Sequence, residues 1–587
     1  MLGKIIDINK NIVTVSLDID ITNQASLTNL HVVFEDGNKK IVGEIISVSK
    51  DNLIISVLGE IRDNKFTPGI TKKPSFKSIT RMIKLDELET IYGRQQIDST
   101  GKIYLGNSTL YNNYRINVDV NKFLSNHLAI LGNTGAGKSF TVAKILQNVF
   151  TGSGYVPKNA NIFLFDAYGE YNNALEDINL RNPVVHYKCY TTDTKSSKNE
   201  LLRVPLWLLD VDDIAILLGV DSPSQIPIIE KALKLVILLR NSNQDVKKHK
   251  NDIIARAIMD ILMSGKDSSK IRDQVMAVLT NFNTEDLNLD TPIYEPGYTR
   301  RLKQCLYVDN NGKMQYVETV VETISRFMIE NLEYPTPDGT VPFTLMDLEK
   351  AMDFALISEG ILKSDKVYDE ANVLSVRLHS LVNGEYSEYF NYPEMTDKKT
   401  YINKLLMTNA GKKAQIVNFN INYVDDRFAK ALVKIITKLV FDFSVVNEPR
   451  ASIPFHIFIE EAHRYVQNDK DEEILGYNIF NRIAKEGRKY GVLLGFVTQR
   501  PSELSETSIS QCSNFLVLRT LHPKDIDYIK NMIPSVSEEI IMSLKNLQPG
   551  TCMAFGNAFL IPTSIYFEKP NPEPLSNNAD IEKLWYV

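Results

Sequence analysis

The sequence predicts an α/β chain: a parallel sheet with helices on both faces, a small β domain in front of it and a mainly helical insertion within it. Three observations carry this reading. Continuous apolar runs recur at residues 127–131, 161–165, 415–420, 455–459, 491–498 and 514–519, and strands that lack polar alternation are covered on both faces. Helical stretches at 139–150, 425–443 and 472–490 lie between them, the order expected of parallel strands joined by crossover helices. Before them, closely spaced β-rich runs at 5–17, 31–34, 41–48 and 53–57 are split by the turn-formers Glu35-Asp36-Gly37 and Ser49-Lys50-Asp51-Asn52, which suggests a small barrel.

In chain order, residues 1–75 are assigned to the barrel. Residues 76–120 form a connection, since the chain from 63 onward is mixed and contains Pro68, Gly69 and Pro74. The first part of the α/β core is 121–174. An insertion follows at 175–410, with helical periodicity at 226–239, 252–263 and 317–331. Its polar stretches, 191–200 and 241–252, read as exposed loops. The second part of the core is 411–569. The Pro- and Asn-rich tail, 570–587, ends in an amphipathic stub whose Trp585 and Tyr586 offer either a docking surface or a packing contact.

Composition narrows the function classes. At 43% hydrophobic and 24% charged, the chain can bury ordinary globular cores. No window approaches the roughly 18–20 apolar residues of a membrane span, and the first residues lack the pattern of a signal peptide. Cys189, Cys305, Cys512 and Cys552 are far apart, which argues against a disulfide framework or a zinc site. A reduced, cytoplasmic setting is expected. A net charge of −6 does not advertise a nucleic-acid binder. It does not exclude one either, because a ring can confine its basic residues to a narrow channel.

The chemistry is concentrated in a few motifs. Gly132-Asn133-Thr134-Gly135-Ala136-Gly137-Lys138-Ser139 matches the phosphate-binding GxxxxGK[ST] pattern in full. It follows a predicted strand and opens a predicted helix, the context that gives the pattern its meaning. Its glycines let backbone N–H groups turn around phosphates at the positive end of a helix, and the nucleotide contacts extend to Phe140. Lys138 reaches the outer phosphates and Ser139 holds magnesium. In Ile457-Phe458-Ile459-Glu460-Glu461-Ala462-His463, two carboxylates emerge at the C-terminal end of a buried strand, where open α/β sheets bind ligands. Glu460 is placed on magnesium through water, and Glu461 on the attacking water. Gln499, at the tip of the next strand, is either a sensor of the γ-phosphate and that water or a solvated loop residue. Arg488, between Gly487 and Gly491, is a candidate for the trans-acting arginine of ring ATPases. Arg482 and Arg519 compete for that role.

Taken together, these segments resemble the HerA ATPases, the branch that joins FtsK-like pumps. The resemblance rests on the phosphate loop, Asp166-Ala167-Tyr168-Gly169-Glu170-Tyr171, the strand carrying Glu460 and Glu461, the segments 484–491 and 497–504, and Leu547-Gln548-Pro549-Gly550. It covers almost the whole chain. It implies a RecA-like P-loop core, an N-terminal barrel of that family's kind and a helical insertion. It also implies ATP and Mg2+ as cofactors and a homo-hexameric ring that moves double-stranded DNA. Such rings work with a NurA-like nuclease, or in bacterial anti-phage systems with a sirtuin-like NAD-cleaving or nuclease effector. One departure stands out. The family commonly has Asp-Pro-His-Gly-Glu-Tyr where this chain has Tyr168 in place of the His. Asp166 and Glu170 either face the nucleotide or simply form a strand-terminal turn.

Two functions compete: a DNA-translocating motor, and an ATP-gated scaffold that assembles and switches an effector. Lys188, Lys195, Lys198 and the run Lys247-Lys248-His249-Lys250 are candidates for a basic DNA channel, the last equally readable as a solvated loop. No hydrolase constellation other than the ATPase is visible, so nuclease or NAD-cleaving activity is assigned to a separate chain.

Overall fold

The computed structural model describes residues 2–18, 27–96, 101–151, 156–240, 244–330, 339, 341–363, 365–532, 538–575 and 581–585. Seven short strands come first: β1 (Gly3–Asn9), β2 (Ile12–Leu17), β3 (His31–Asp36), β4 (Lys39–Val48), β5 (Asn52–Arg62), β6 (Lys65–Pro68) and β7 (Ile79–Met82). They pair in the order β2-β1-β7-β3-β4-β5, and β2 also pairs with β5, so six strands close into a barrel with β6 outside. Closure leaves those six strands without a free edge. Alternation fills the interior: Val13, Val15, Val32, Phe34, Leu53 and Ile55 point into one core. The intervening Val33 and Val42, with Ile61, join the core of the next domain and dock the barrel there. The ring closes through β7, beyond the 1–75 assigned to it from sequence.

The larger sheet has twelve strands. They are β8 (Lys102–Ser108), β9 (Arg115–Asp119), β10 (Leu128–Leu131), β11 (Ile162–Asp166), β12 (Tyr187–Thr191) and β13 (Glu200–Leu201), then, after a hairpin of β14 (Pro292–Glu295) and β15 (Tyr298–Arg301) in the helical region, β16 (Ile416–Asn420), β17 (Phe455–Ile459), β18 (Val492–Thr498), β19 (Asn514–Leu518), β20 (Thr551–Gly556) and β21 (Thr563–Tyr566). The order is β13-β12-β16-β11-β17-β18-β10-β19-β20-β21-β8-β9. The run from β13 to β19 is parallel, and antiparallel strands extend it from β20 to β9. The β8–β9 hairpin lies in the stretch read from sequence as a connection and forms one edge of this sheet.

The apolar runs have the physical cause inferred for them. Along β10 and β11, Leu128, Ile130, Ile162 and Leu164 enter one core with the helix Lys138–Thr151. Ala129, Leu131, Phe163 and Phe165 enter the other, with the helix Asp426–Val446 and the helical region. A strand with two dry faces favours apolar residues along its whole length.

The helical region contains Val211–Leu218, Ile226–Arg240, Gln244–Leu262, Ser268–Asn281, Leu345–Lys363 and Asp365–Asn383, among others. Gln244–Leu262 corrects the expected loop over 241–252, of which 241–243 lie outside the described residues. Lys247 pairs with Glu285 at 2.7 Å and Asp286 at 3.3 Å, while Ile253 and Ile254 are buried. The charged run is thus the first, ion-paired turns of an amphipathic helix. The helix expected over 317–331 ends earlier, as Val317–Ser325. No helix among the described residues is long and apolar enough to cross a membrane. The four cysteines are free and buried. Trp585 is 76% exposed; Tyr586 lies outside the described residues.

Lys438 ties the helical region to the core. Its side chain, 4% exposed, bonds Asp210, and its Nζ lies 3.3 Å from Asp213 and 3.7 Å from Asp442. Asp210 and Asp213 sit at the start of Val211–Leu218. Lys438→Ala is expected to destabilise the fold by about 3 kcal/mol, because it leaves the buried Asp213 carboxyl without its cation. Thermal unfolding of the two proteins measures this, and an unchanged midpoint would contradict it.

Candidate nucleotide site

The strand β10 runs directly into the glycine-rich loop, which is stitched at both sides. The Gly132 N–H donates to the Thr498 carbonyl at 3.2 Å, and the Asn133 N–H to that of Arg519 at 2.9 Å. Gly135 and Gly137 have φ of +74° and +99°, a region that L side chains adopt only with strain. A Cβ on Gly132 would come within 2.8 Å of the Leu518 Cβ. The loop delivers the chain into the N-terminus of Lys138–Thr151, a 14-residue helix whose first N–H groups carry the positive end of its dipole. Lys138 is 9% exposed, and its Nζ donates to the Asn133 carbonyl at 3.2 Å.

Carboxylates face this loop from β17. Ser139 Oγ donates to Glu460 Oε1 at 3.0 Å, and the Tyr171 hydroxyl donates to the same oxygen at 3.1 Å. The other oxygen, Glu460 Oε2, is buried and has no hydrogen-bond partner. Glu461 follows in the left-handed region at φ +47°, a strained backbone for a non-glycine residue, costing of order 1 kcal/mol. Its carbonyl accepts from the Arg464 N–H at 2.8 Å, and Oε2 lies 3.3 Å from His463 Nδ1. The tight turn thus points consecutive acidic side chains at one spot.

The charges at this spot do not balance. Burial, then the neighbouring Asp166 and Glu170, push the Glu460 carboxyl well above the ordinary range. Burial raises Glu461 too, opposed by Lys138, Arg464 and Arg500. Burial likewise raises Glu170. Burial lowers the Lys138 ammonium against the pull of Glu461, Glu460 and Glu170. An excess of buried carboxylate with an orphaned oxygen beside a serine hydroxyl fits a divalent cation. Among the described residues no group of three or more His, Cys, Asp and Glu side chains could hold a metal ion, so this cation would also need phosphate oxygens.

Asp166 resolves one open choice. Its Oδ1 accepts from the N–H groups of Tyr168, Gly169 and Glu170 at 3.3, 2.7 and 3.1 Å. Its Oδ2 accepts from the Tyr171 N–H at 3.0 Å and Asn418 Nδ2 at 3.2 Å. Wholly buried, Asp166 spends its lone pairs on folding the turn. That turn places Glu170 and Tyr168 on the wall of a cavity of about 710 Å³, which Lys138, Ser139, Phe140, Glu460, Glu461 and Gln499 also line. Gln499 accepts through Oε1 from the Thr134 hydroxyl, which brings the end of β18 onto the loop.

Arg488 lies elsewhere. It sits in Gly487–Tyr490, at the N-terminal end of β18, exposed. The strand β18 runs parallel to β10, with Thr498 level with Leu131, so seven residues of extended chain separate Arg488 from its own phosphate loop, roughly 20 Å. Arg482 pairs with Glu486 at 2.7 Å and lies over the rings of Phe441 and Tyr477. The carbonyl of Arg519 holds its own chain's loop.

Residues 103–328 match the model of the helicase HerA central domain. The DNA double-strand break repair helicase HerA of Pyrococcus furiosus is 24% identical over 87% of this chain and 76% of its own length. A probable helicase of that name from Methanocaldococcus jannaschii is 23% identical over 88% and 84%. The chain is thus similar to the HerA helicases over most of its length. Solved structures similar to it include VirB4 of Thermoanaerobacter pseudethanolicus, at 13% identity and a TM-score of 0.40 over 81% of this chain and 98% of that one. The unbound conjugative coupling protein TrwB shows 10% identity and a TM-score of 0.41 over 81% and 89%.

Tyr168, which stands where the resembling HerA sequences commonly have His, is 48% exposed, 5.9 Å below the Arg464 guanidinium. The sequence reading missed the fourth wall of the cavity, which comes from Pro549, Gly550 and residues 566–569. It also missed Arg464 and Arg500, the cations that oppose the burial of Glu461. Nothing local marks residues 566–569, which reach the cleft only through the sheet order, whereas Pro549 and Gly550 belong to the 547–550 motif, Arg464 is three residues from Glu461 and Arg500 follows Gln499. The channel candidates fare differently. Lys188 is 8% exposed and paired with Glu200, and Lys198 pairs with Glu176 at 2.8 Å.

Proposed function

We propose that this chain is a HerA-type ATPase and one subunit of a homo-hexameric ring that couples ATP hydrolysis to movement of double-stranded DNA. The observation that carries hydrolysis is the strained turn that holds Glu461 beside Lys138 and the glycine-rich loop. In this reading the loop amides, Lys138 and Thr134 bind the phosphates. Ser139 and Glu460 hold Mg2+, which would supply a Lewis acid on the phosphate oxygens. Glu461 takes the proton of the attacking water. Gln499 links that position to β18. DNA as the track is supported by the relatives named above as break-repair helicases. Within that reading the motor works with a NurA-like nuclease or a sirtuin-like or other effector chain, in DNA processing or anti-phage defence. The decisive experiment is the ATPase rate with and without linear double-stranded DNA on protein whose ring mass is known. Strong stimulation of a hexamer is expected; an unstimulated hexamer would sink the motor and leave the switching scaffold.

A ring is favoured by the position of Arg488, exposed and about 20 Å from its own loop. A cation that neutralises transition-state charge must come from somewhere, and from this place it can serve only a neighbour. Arg488→Ala is expected to lower kcat about a thousandfold. Mixing it with Glu461→Gln subunits should restore turnover at the interfaces that pair an intact Glu461 with an intact Arg488. If no mixing ratio restores it, Arg488 does not act in trans.

A further inference from the structure

The cavity continues past the phosphate loop onto β21, and it ends at a tyrosine. Resting on the nucleotide reading above, we propose that the Tyr566 ring is the platform on which the base of the bound nucleotide stacks. Thr563, Ser564 and Ile565 are buried, whereas Tyr566 is 43% exposed and lines the same cavity as Lys138 and Ser139. The ring is close to the loop. A Cβ on Gly550 would lie 3.7 Å from the Tyr566 Cε2, and the Gly550 N–H donates to the Ala136 carbonyl, inside the phosphate loop, at 3.2 Å. Its backbone is held on both sides, opposite Thr551 on β20 and Asn107 on β8. A rigid, half-exposed aromatic one layer beyond a phosphate cradle offers a flat apolar face where a nucleotide carries its base.

The neighbouring polar groups decide how the base is read. Glu568 Oε1 accepts from the Tyr104 hydroxyl at 3.2 Å and Asn107 Nδ2 at 3.3 Å, and Oε2 pairs with Lys144 at 3.2 Å. Lys569 leans toward Glu573 at 3.7 Å. With these side chains committed, the subsite grips the face of a base and leaves its edge unread. Purine triphosphates are therefore bound alike, with GTP close to ATP.

Calorimetric titration of the full chain with Mg-ATP, Mg-GTP and Mg-tripolyphosphate, which has no base, tests this. Tyr566→Ala should weaken ATP about tenfold, the stacking contribution of one aromatic, and leave tripolyphosphate within about twofold. Tyr566→Trp should bind ATP as the native chain does. An alanine variant with native ATP affinity overturns the proposal. So does a parallel loss of ATP and tripolyphosphate, which would mark Tyr566 as structural, or GTP bound far more weakly than ATP. If the native chain binds neither ATP nor tripolyphosphate, the nucleotide reading itself falls, and the base platform with it.

Discussion

Lys138→Ala is expected to abolish ATP turnover, with kcat/KM falling by at least about a hundredfold. The lysine is a buried cation that feels the charges of Glu461, Glu460 and Glu170, so its loss does two things. It removes the charge that meets the outer phosphates, and it leaves three carboxylates to repel them. Because the ammonium is 9% exposed, it acts in a poorly screened setting where one charge counts for more than at a surface. A melting curve of the variant separates this from misfolding: a folded chain without turnover supports the assignment. A folded chain that hydrolyses ATP at the native rate would remove the phosphate loop from the mechanism.

Glu461→Gln is expected to separate binding from hydrolysis. Glutamine keeps the volume of the side chain and tolerates the left-handed turn about as well, but it cannot accept a proton from water. A loss of 10²–10⁴-fold in kcat is the usual size of a general-base contribution. Mg-ATP should bind at least as tightly as before, because one negative charge has left the cleft. The native enzyme should also show an acid limb. Burial raises the Glu461 carboxyl above its ordinary value, so the carboxylate form is present only above that raised pKa, and turnover should fall on acidification earlier than an exposed glutamate would dictate. Loss of ATP binding in the Gln variant would contradict the role given to Glu461.

Much of this was legible in the residues themselves. The phosphate loop and the paired glutamates are local patterns. Glycines at positive φ, a lysine at a helix start and carboxylates at a strand end are required by the chemistry at fixed spacing, and the dry strands declare themselves by largely apolar runs without regular polar alternation. The helix over Gln244–Leu262 was misread because its first turns are polar, and it is the ion pairs of Lys247 with Glu285 and Asp286 that complete them.

Sequence by itself determined the parallel sheet, the helix that follows the loop and the two local motifs that carry Lys138-Ser139 and Glu460-Glu461, because each depends on residues a few positions apart. Tertiary structure alone decided the rest. It assigned Asp166 to holding a turn, set Arg488 a strand's length from its own site, closed the barrel through β7 and brought Tyr566 beside Gly550. These depend on pairings between distant segments, and the free energy that fixes them comes from burying whole faces of strands and helices, which no short pattern encodes.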